Sequence, residues 1–588
     1  MSLRHSLLGK NTRRVFGRFL KDSSATVTQI FGLSAIPIFL AAGAAIDGAR
    51  IHDEQTKFLA AVDAAVIAVA SDDRAAVQSL SGSQLEARMA ELENIAADYI
   101  DKNYDASGDI SVNLEISGQT VKLDADFVFP TTIMSLVGIS EVDMQASSTV
   151  KKAMRPIELV MVMDTTGSMD TDGKMDGAKT AARNLMTTLY GGSLASEPRS
   201  EFLRTALVPF AGAVKLDSAA HDFDLGWIDT DGDNPLSRVH FDDPAAPAVW
   251  NNYYAWSRLK KSSSAYHTWN GCVETRKRGT GSQAYNVNDA APVSSNPDTL
   301  FPAFFHPDAP GASSTGDVNG PFGFSYITQG SNTTLYSECY GTGLTSGSGG
   351  TCLNNTNLTY ARIKQENYRK YENTNIGSES ETNYGPWSMC AVSKVVPMTY
   401  DRAKVEAGIT AMNAYGPTMI GEGLSWGWRA ISPGAPFTKV EGSGSLAATT
   451  IAPYGDARWQ KIIVLMTDGD NDLAYGGSWK TMNGTAYSAY GYSGESMTYN
   501  RFGTTSASSS ESVLDADMLT ICNSVKSAGI TLYVASFGSG VSTSTRSRLQ
   551  TCSSGTGYYQ HANAPSDLAA FFNHIGQDVI NKSIYVSK

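Results

Sequence analysis

The stretch from Ile157 to Met169, IELVMVMDTTGSM, constrains this chain more than any other. Its first seven residues are apolar except for Glu158 and rich in long aliphatic and β-branched side chains. That is the composition of a strand buried on both faces, hence one paired in parallel. The run stops on Asp164. Asp164, Thr166 and Ser168 then alternate, so one turn can aim a carboxylate and two hydroxyls into the same small volume. Hard oxygen donors at the carboxyl end of a strand suit Mg²⁺ or Mn²⁺. The same residues also suit a plain helix cap, and the stretch by itself leaves both open.

The later chain supplies the partners of that strand. KIIVLMTDGDND (Lys461 to Asp472) is a second buried run ending in carboxylates, and FLRTALVPFAGAV (Phe202 to Val214), GITLYVASFG and GYYQHA read as further strands. Helical spacing runs from about Met175 to Tyr190, through DRAKVEAGITAMNAYG to a stop at Gly416, and along TMIGEGLSWGWRAIS after an opening turn. Helices also fit 512–528, 544–551 and PSDLAAFFNHIGQDVI. Strands alternating with helices predict an α/β fold, a doubly wound, mostly parallel sheet over residues 155–582. Ligands of such sheets sit at the carboxyl ends of the strands, where Asp164 and Asp468 both fall.

The amino-terminal part is of another kind. Residues 1–26 carry Arg4, Lys10, Arg13, Arg14, Arg18 and Lys21 against one acid, Asp22, and residues 27–46 are uncharged, from Val27 through IFGLSAIPIFLAAGAAI. About 20 such residues cross a bilayer, and the basic flank places the first 26 residues in the cytoplasm and the rest on the far side. A single retained anchor is the reading that length favours; a cleaved secretory signal competes with it. From Asp47 to about Tyr104 the spacing predicts one long helix. DISVNLEISG, TVKLDADFVF and VDMQASSTVKKA then alternate as strands, which makes 47–154 a small α+β module.

The chain has 588 residues, beyond the reach of one core. Its net charge of −12 argues against nucleic acid as the main partner of the bulk domain. Periodicity fails over 221–390, which is rich in Gly, Ser, Asn, Pro and aromatics. A structureless loop of that length is improbable, so this is a folded insertion; 476–510 is a surface loop. Within the insertion, DTDGDN (Asp229 to Asn234) lacks the glycine position and closing Glu of a calcium loop and reads as a solvated turn. Trp250, Tyr253, Tyr254, Trp256 and Trp269 fit either a contact patch or the insertion's own core. His267 and His306 read as surface or stacking residues. The six cysteines form no CxxC pair, which disfavours zinc and fits either three disulfides or six buried thiols. No GxSxG, HExxH or phosphate-loop pattern appears, so an enzyme is not expected.

Three separated loops, Asp164-Thr165-Thr166-Gly167-Ser168, Thr418-Met419-Ile420-Gly421-Glu422-Gly423-Leu424 and Thr467-Asp468-Gly469, together resemble the metal-ion-dependent adhesion site of von Willebrand factor A domains. That pattern is DxSxS, a distant Thr before GxGL, and an Asp in a TDG turn; Thr166 stands where the pattern has its first serine. The resemblance implies a divalent ion, Mg²⁺ or else Mn²⁺ or Ca²⁺, held by Thr166, Ser168 and Thr418, with Asp164 and Asp468 direct or through water. A partner's carboxylate would complete the ion's ligands. The amino-terminal span ending GAAIDGAR, FLAAVDAAVIAVA, WNGCVETR, SWGWRAISPGAPF and KIIVLMTDGDN further resemble TadG-like proteins of the tight-adherence (Flp) pilus system. This implies an inner-membrane anchor, a periplasmic domain, and pilus assembly or secretion components as partners. A surface adhesin, or a structural module without metal, is the alternative. The cysteines fit as Cys522–Cys552 on the late half of the sheet, Cys272–Cys390 closing the insertion and Cys339–Cys352 closing a Gly-rich loop, although four cysteines in the insertion allow three connectivities.

Overall fold

A computed structural model of the chain describes residues 26–72, 75, 77, 82–105, 109–117, 120–190, 202–241, 246–308, 326–327, 368–380, 385–390, 393–434, 436–473, 487–491, 501–502 and 507–587. The basic tail before Thr26, Cys339, Cys352 and most of the 476–510 loop lie outside the described residues. Two compact units divide the chain, one ending at Met154 and joined by the last strand from Ile584, the other Arg155–Ser583.

The first unit begins with helix α1, Thr26–Ser71. Its amino-terminal half exposes Ile30, Phe31, Leu33, Ile36, Ile38 and Phe39, whereas Phe58, Val62, Ala65, Val66 and Val69 in its second half are fully buried. Among the described residues it is the helix long and apolar enough to cross a membrane. The single helix expected to run to Tyr104 is two: α1 ends at Ser71 and α2 occupies Ser83–Asn103, with Gly82 at φ 58° before it. Strands β1 (Ser111–Ser117), β2 (Thr120–Pro130) and β3 (Glu141–Met154) form an antiparallel meander. Leu114, Val121, Leu123, Ala125, Phe127 and Met144 pack on Phe58, Val62, Leu92 and Ile100 of the two helices.

The second unit is built on β4 (Ile157–Asp164) and β5 (Leu203–Phe210), with β6 (Val396–Thr399), β7 (Gln460–Thr467), β8 (Thr531–Phe537) and β9 (Tyr559–Ala562). The sheet order is β6-β5-β4-β7-β8-β9, parallel throughout except for β6. Strand period two divides β4 between two cores. Leu159, Met161 and Met163 meet α3 (Lys174–Tyr190), α4 (Arg402–Ala411) and α8 (Pro565–Ser583). Val160 and Val162 face the opposite side, where α5 (Ile420–Ile431), α6 (Ala507–Ser527) and α7 (Thr543–Cys552) lie. This is the doubly wound sheet that the alternating pattern predicts.

Sequence reasoning missed two strands of the two larger sheets. β6, which carries Pro397, is the antiparallel edge, a place that tolerates a missing N–H donor. β10 (Ile584–Ser587) pairs with β3 in the first unit, so the chain returns to its starting module after leaving the sheet. The helix expected to reach Gly416 stops at Ala411, and Gly416 instead takes φ 91° in the following loop.

Every residue of α5 is buried, because the insertion covers the side turned away from the sheet. Trp227, Ile228, Val273, Phe301 and Ala303 of the insertion pack with Ile420, Leu424, Trp426 and Ile431. A separate cluster of Phe241, Trp250, Trp256, Phe305, Tyr371 and Trp387 is the insertion's own core, so Trp250 and Trp256 are packing residues and not a contact patch. His306 is buried with its ring centroid 5.2 Å from that of Tyr487, and His267 is buried with its centroid 5.3 Å from that of Trp387; both rings pack at a tilt against an aromatic neighbour, and neither is a surface residue. Asp229 accepts backbone hydrogen bonds from Gly232, Asp233 and Asn234 at 3.0–3.1 Å, which makes DTDGDN a self-capped turn. Disulfides join Cys272 to Cys390 and Cys522 to Cys552.

At the amino ends of the central strands, register places Lys461, Glu158 and Arg204 side by side. Glu158 is fully buried, with Arg204 Nη1 at 2.8 Å and Lys461 Nζ at 2.5 Å, and it also accepts from the Ala452 N–H. Removing one member of such a set leaves buried charge uncompensated. Glu158→Leu should therefore destabilise the protein by about 3–5 kcal/mol in urea unfolding, with the loss confined to the transition of the second unit.

Candidate functional site

The opposite, carboxyl ends of β4 and β7 carry Asp164 and Asp468, and both carboxylates are fully buried. Asp164 Oδ1 accepts the Thr166 N–H at 2.8 Å, and Oδ2 accepts the Thr467 hydroxyl at 2.7 Å. The Thr165 hydroxyl and N–H both reach the Phe210 carbonyl at 2.9 Å, which fixes the first loop against β5. A 3₁₀ turn at Gly167–Asp170 follows. The Thr166 and Ser168 hydroxyls lie 3.0 Å apart, and Ser168 Oγ donates to Asp468 Oδ1 at 2.6 Å.

The second loop is tied to the other two by its backbone. Gly167 N–H donates to the Gly416 carbonyl at 2.9 Å and Tyr415 N–H to the Thr165 carbonyl at 2.8 Å. Thr418 and Asp472 form a backbone bridge, and the Asn471 side chain caps the start of α5 by accepting the Ile420 N–H at 2.9 Å. Gly469 completes the wall: a Cβ there would stand 3.6 Å from Thr418 Oγ1 and 3.8 Å from Ser168 Oγ. Three loops distant in sequence thus gather Thr166, Ser168, Thr418 and Asp468 around one small volume, with Asp164 directly behind it. Ser168 is exposed, so the volume opens to solvent.

Burial first, and then the neighbouring charge of Asp468, push the Asp164 carboxyl up to about 7. Two buried carboxylates so placed require positive charge. Part of it is Lys174, which sequence reasoning missed. Its Nζ lies 2.8 Å from Asp468 Oδ2 and 3.3 Å from the Ser168 carbonyl oxygen. Asp172 (φ 56°) and Gly173 (φ 65°) turn the chain so that Lys174 is the first residue of α3, and Gly538 leaves room for its stem, since a Cβ there would come within 3.1 Å of Lys174 Cε. A cation at a helix amino terminus opposes the macrodipole. That mismatch, ten residues after Asp164, was the available signal.

The donor set suits a hard cation: hydroxyl and carboxylate oxygens, with no sulfur or imidazole. Among the described residues no group of three or more His, Cys, Asp or Glu side chains is placed to hold a metal. An ion here would depend on the hydroxyls as much as on the two acids.

Residues 25–72 match the family model described as putative Flp pilus-assembly TadE/G-like. No curated protein matches the chain. Among solved structures, the von Willebrand factor domain of the type V pili tip protein Mfa5 from Porphyromonas gingivalis is 10% identical, over 74% of this chain and 98% of that one, with a TM-score of 0.30. The pilus adhesin SpaC from Lactobacillus rhamnosus GG is 9% identical over 81% of this chain, with a TM-score of 0.29, and the match spans 34% of the adhesin's length. Proximal thread matrix protein 1 from the mussel byssus, with a zinc-occupied MIDAS motif, is 11% identical over 74% of this chain and 97% of that one, with a TM-score of 0.18. The strand order, the antiparallel edge and the helices on both faces make the second unit a doubly wound, mostly parallel α/β fold with a large disulfide-tied insertion.

Lys174 is the fixed counter-charge of Asp468 and is itself largely buried. In chelator, Lys174→Met should destabilise the protein by about 3–5 kcal/mol, because Asp468 is left buried and unpaired. Denaturant unfolding measures the loss.

Proposed function

We propose that this chain is a membrane-anchored, metal-dependent binding and assembly protein of the Flp pilus system, and not an enzyme. The observation that carries the reading is the convergence of three loops on one solvent-open volume lined by Thr166, Ser168, Thr418 and Asp468 and backed by Asp164. In this reading those five residues hold Mg²⁺, with Mn²⁺ or Ca²⁺ as the other candidates. The bound ion supplies Lewis acidity toward an incoming oxygen. Hydroxyls and two acids leave it electron-poor, so it favours a carboxylate from a protein partner as a further ligand.

Anchoring is supported by α1, whose exposed apolar half is long enough to cross a bilayer, and by the match of residues 25–72 to the pilus-assembly family. The lysines and arginines before Thr26 support a cytoplasmic amino terminus, with residues 47 onward in the periplasm of an inner-membrane protein. Paired cysteines suit that oxidising side. Pilus assembly or secretion components bearing an exposed acidic residue are the proposed partners. We place the domain limits at 1–26, 27–46, 47–154 and 155–582, with the insertion at 221–390.

Lys174 gives the reading a quantitative handle, since its ammonium competes for the carboxylate the ion needs. Mg²⁺ at a hundredfold excess over its Kd should stabilise the detergent-solubilised protein by about 2.7 kcal/mol. Asp164→Ala should abolish that gain, and Lys174→Met should tighten Mg²⁺ binding about tenfold, or 1.4 kcal/mol. Thermal unfolding with and without chelator checks all three. Equal melting of the wild-type protein in Mg²⁺ and in chelator would refute the metal reading.

A further inference from the structure

The turn between β2 and β3 presents an apolar tip that the described residues of its unit leave exposed. From Thr131 to Ser140 the sequence TTIMSLVGIS is uncharged. Its 3₁₀ turn, Met134–Val137, buries none of its residues, and Leu136, Val137 and Ile139 are 78%, 54% and 44% exposed. Exposed apolar residues scattered singly are ordinary; three within four positions at the tip of a hairpin are not.

The place of this tip says what covers it. Ile133 sits against α1 so closely that a Cβ at Gly43 would come within 2.1 Å of its Cγ2. One turn on, about 6 Å along the helix, the buried Asp47 carboxylate accepts the N–H groups of Ile133 and Met134 at 2.6 and 2.7 Å. Arg50 bonds the Thr132 hydroxyl and pairs with Asp47. Gly43 lies inside the uncharged 27–46 segment, and Asp47 is the first charge beyond it. The turn is therefore bolted to α1 at the level where the apolar segment ends, with Leu136, Val137 and Ile139 continuing its surface.

We propose that the β2–β3 turn is a second membrane contact, its tip inserted among the lipid headgroups and upper acyl chains beside the exit of α1. The proposal rests on the reading of α1 as a membrane span. Arg50, half exposed at the same level, lies where a guanidinium can reach lipid phosphate while its stem stays against Phe129, whose ring centroid is 5.5 Å from its Cζ. Two attachment points on one rigid unit would hold the module upright on the membrane, whereas a lone helix leaves it free to tilt.

The test uses the full chain in liposomes of phosphatidylethanolamine and phosphatidylglycerol, with a polarity-sensitive fluorophore on Leu136→Cys and nitroxide lipids labelled near the headgroup. The same dye goes on Phe39→Cys within the span and on Thr149→Cys, an exposed site about 27 Å from Glu141 along β3; the unsubstituted chain sets the background. An insertion depth of about 5–10 Å puts the Leu136 label within reach of the quencher, so its emission should shift to the blue and fall by about half, while the Thr149 label is unaffected. Quenching at Phe39 with none at Leu136 overturns the proposal and leaves the anchor standing. No quenching at either site overturns both. Equal quenching at Thr149 and Leu136 also overturns it, since the unit would then lie flat on the bilayer.

Discussion

A charge buried at the end of a strand must be satisfied by whatever lies around it, and the carboxyl end of the sheet is arranged about that demand. Asp164 cannot reach water, so its oxygens take the Thr166 N–H and the Thr467 hydroxyl, which binds the first and third loops to each other. Asp468, next to it, takes Ser168 and Lys174. The other end of the same strands shows the contrast. There Glu158 lies between Arg204 and Lys461, so fixed cations close the charge and leave nothing to recruit. One sheet thus carries a saturated end, which sets register, and an end with two buried acids against one lysine.

The insertion belongs to this arrangement and is more than an appendage. Helix α5 follows directly on the Thr418 loop, and the insertion seals its outer face, so its polar side chains must find partners inside the protein. Glu422 accepts the Trp426 indole N–H at 2.9 Å, and Arg429, one turn further on, reaches the Ser425 hydroxyl at 2.7 Å. Arg276, from the insertion, packs its guanidinium 4.8 Å from the Phe301 ring centroid, and Arg429 lies 5.1 Å from the same ring. Burial pushes the Glu422 carboxyl up, and the two arginines pull it back. Loosening the insertion would expose α5 and with it the position of Thr418.

What the sequence made legible follows from range. Strands β4 and β7 are continuous apolar runs, and a buried parallel strand has few other ways to be written. The alternation of Asp164, Thr166 and Ser168 is local, so the first loop could be read directly; the second buried strand pointed to Asp468, and the resemblance supplied Thr418. β6 and β10 are four residues each, and their partners lie far away in sequence, β5 for one and β3 for the other. No local signal separates such segments from loop. The helix after Asp401 stops at Ala411 without a glycine, while Gly416 serves the loop that receives Gly167. Lys174, Arg204 and Lys461 look like surface charges until register and turn geometry bring them to Asp468 and Glu158. Long-range electrostatics, more than secondary structure, is what the one-dimensional reading could not see.

Charge balance connects the proposed ion to the proposed partner. A bound cation would hold both Asp164 and Asp468 ionised, and with Lys174 beside them these three side chains sum to one negative charge. A divalent ion reverses this to one positive charge in excess beside two fully buried carboxylates, where an unbalanced charge is costly. A carboxylate arriving from outside returns the pocket to neutrality. Metal and acidic partner would each bind better with the other present, and reciprocity makes the two effects equal. A site with a third acid would be neutral with the ion alone and would gain nothing from a partner's charge. In the proposed reading, Lys174 turns a cation pocket into one that asks for an acid, by cancelling a carboxylate the ion would otherwise use.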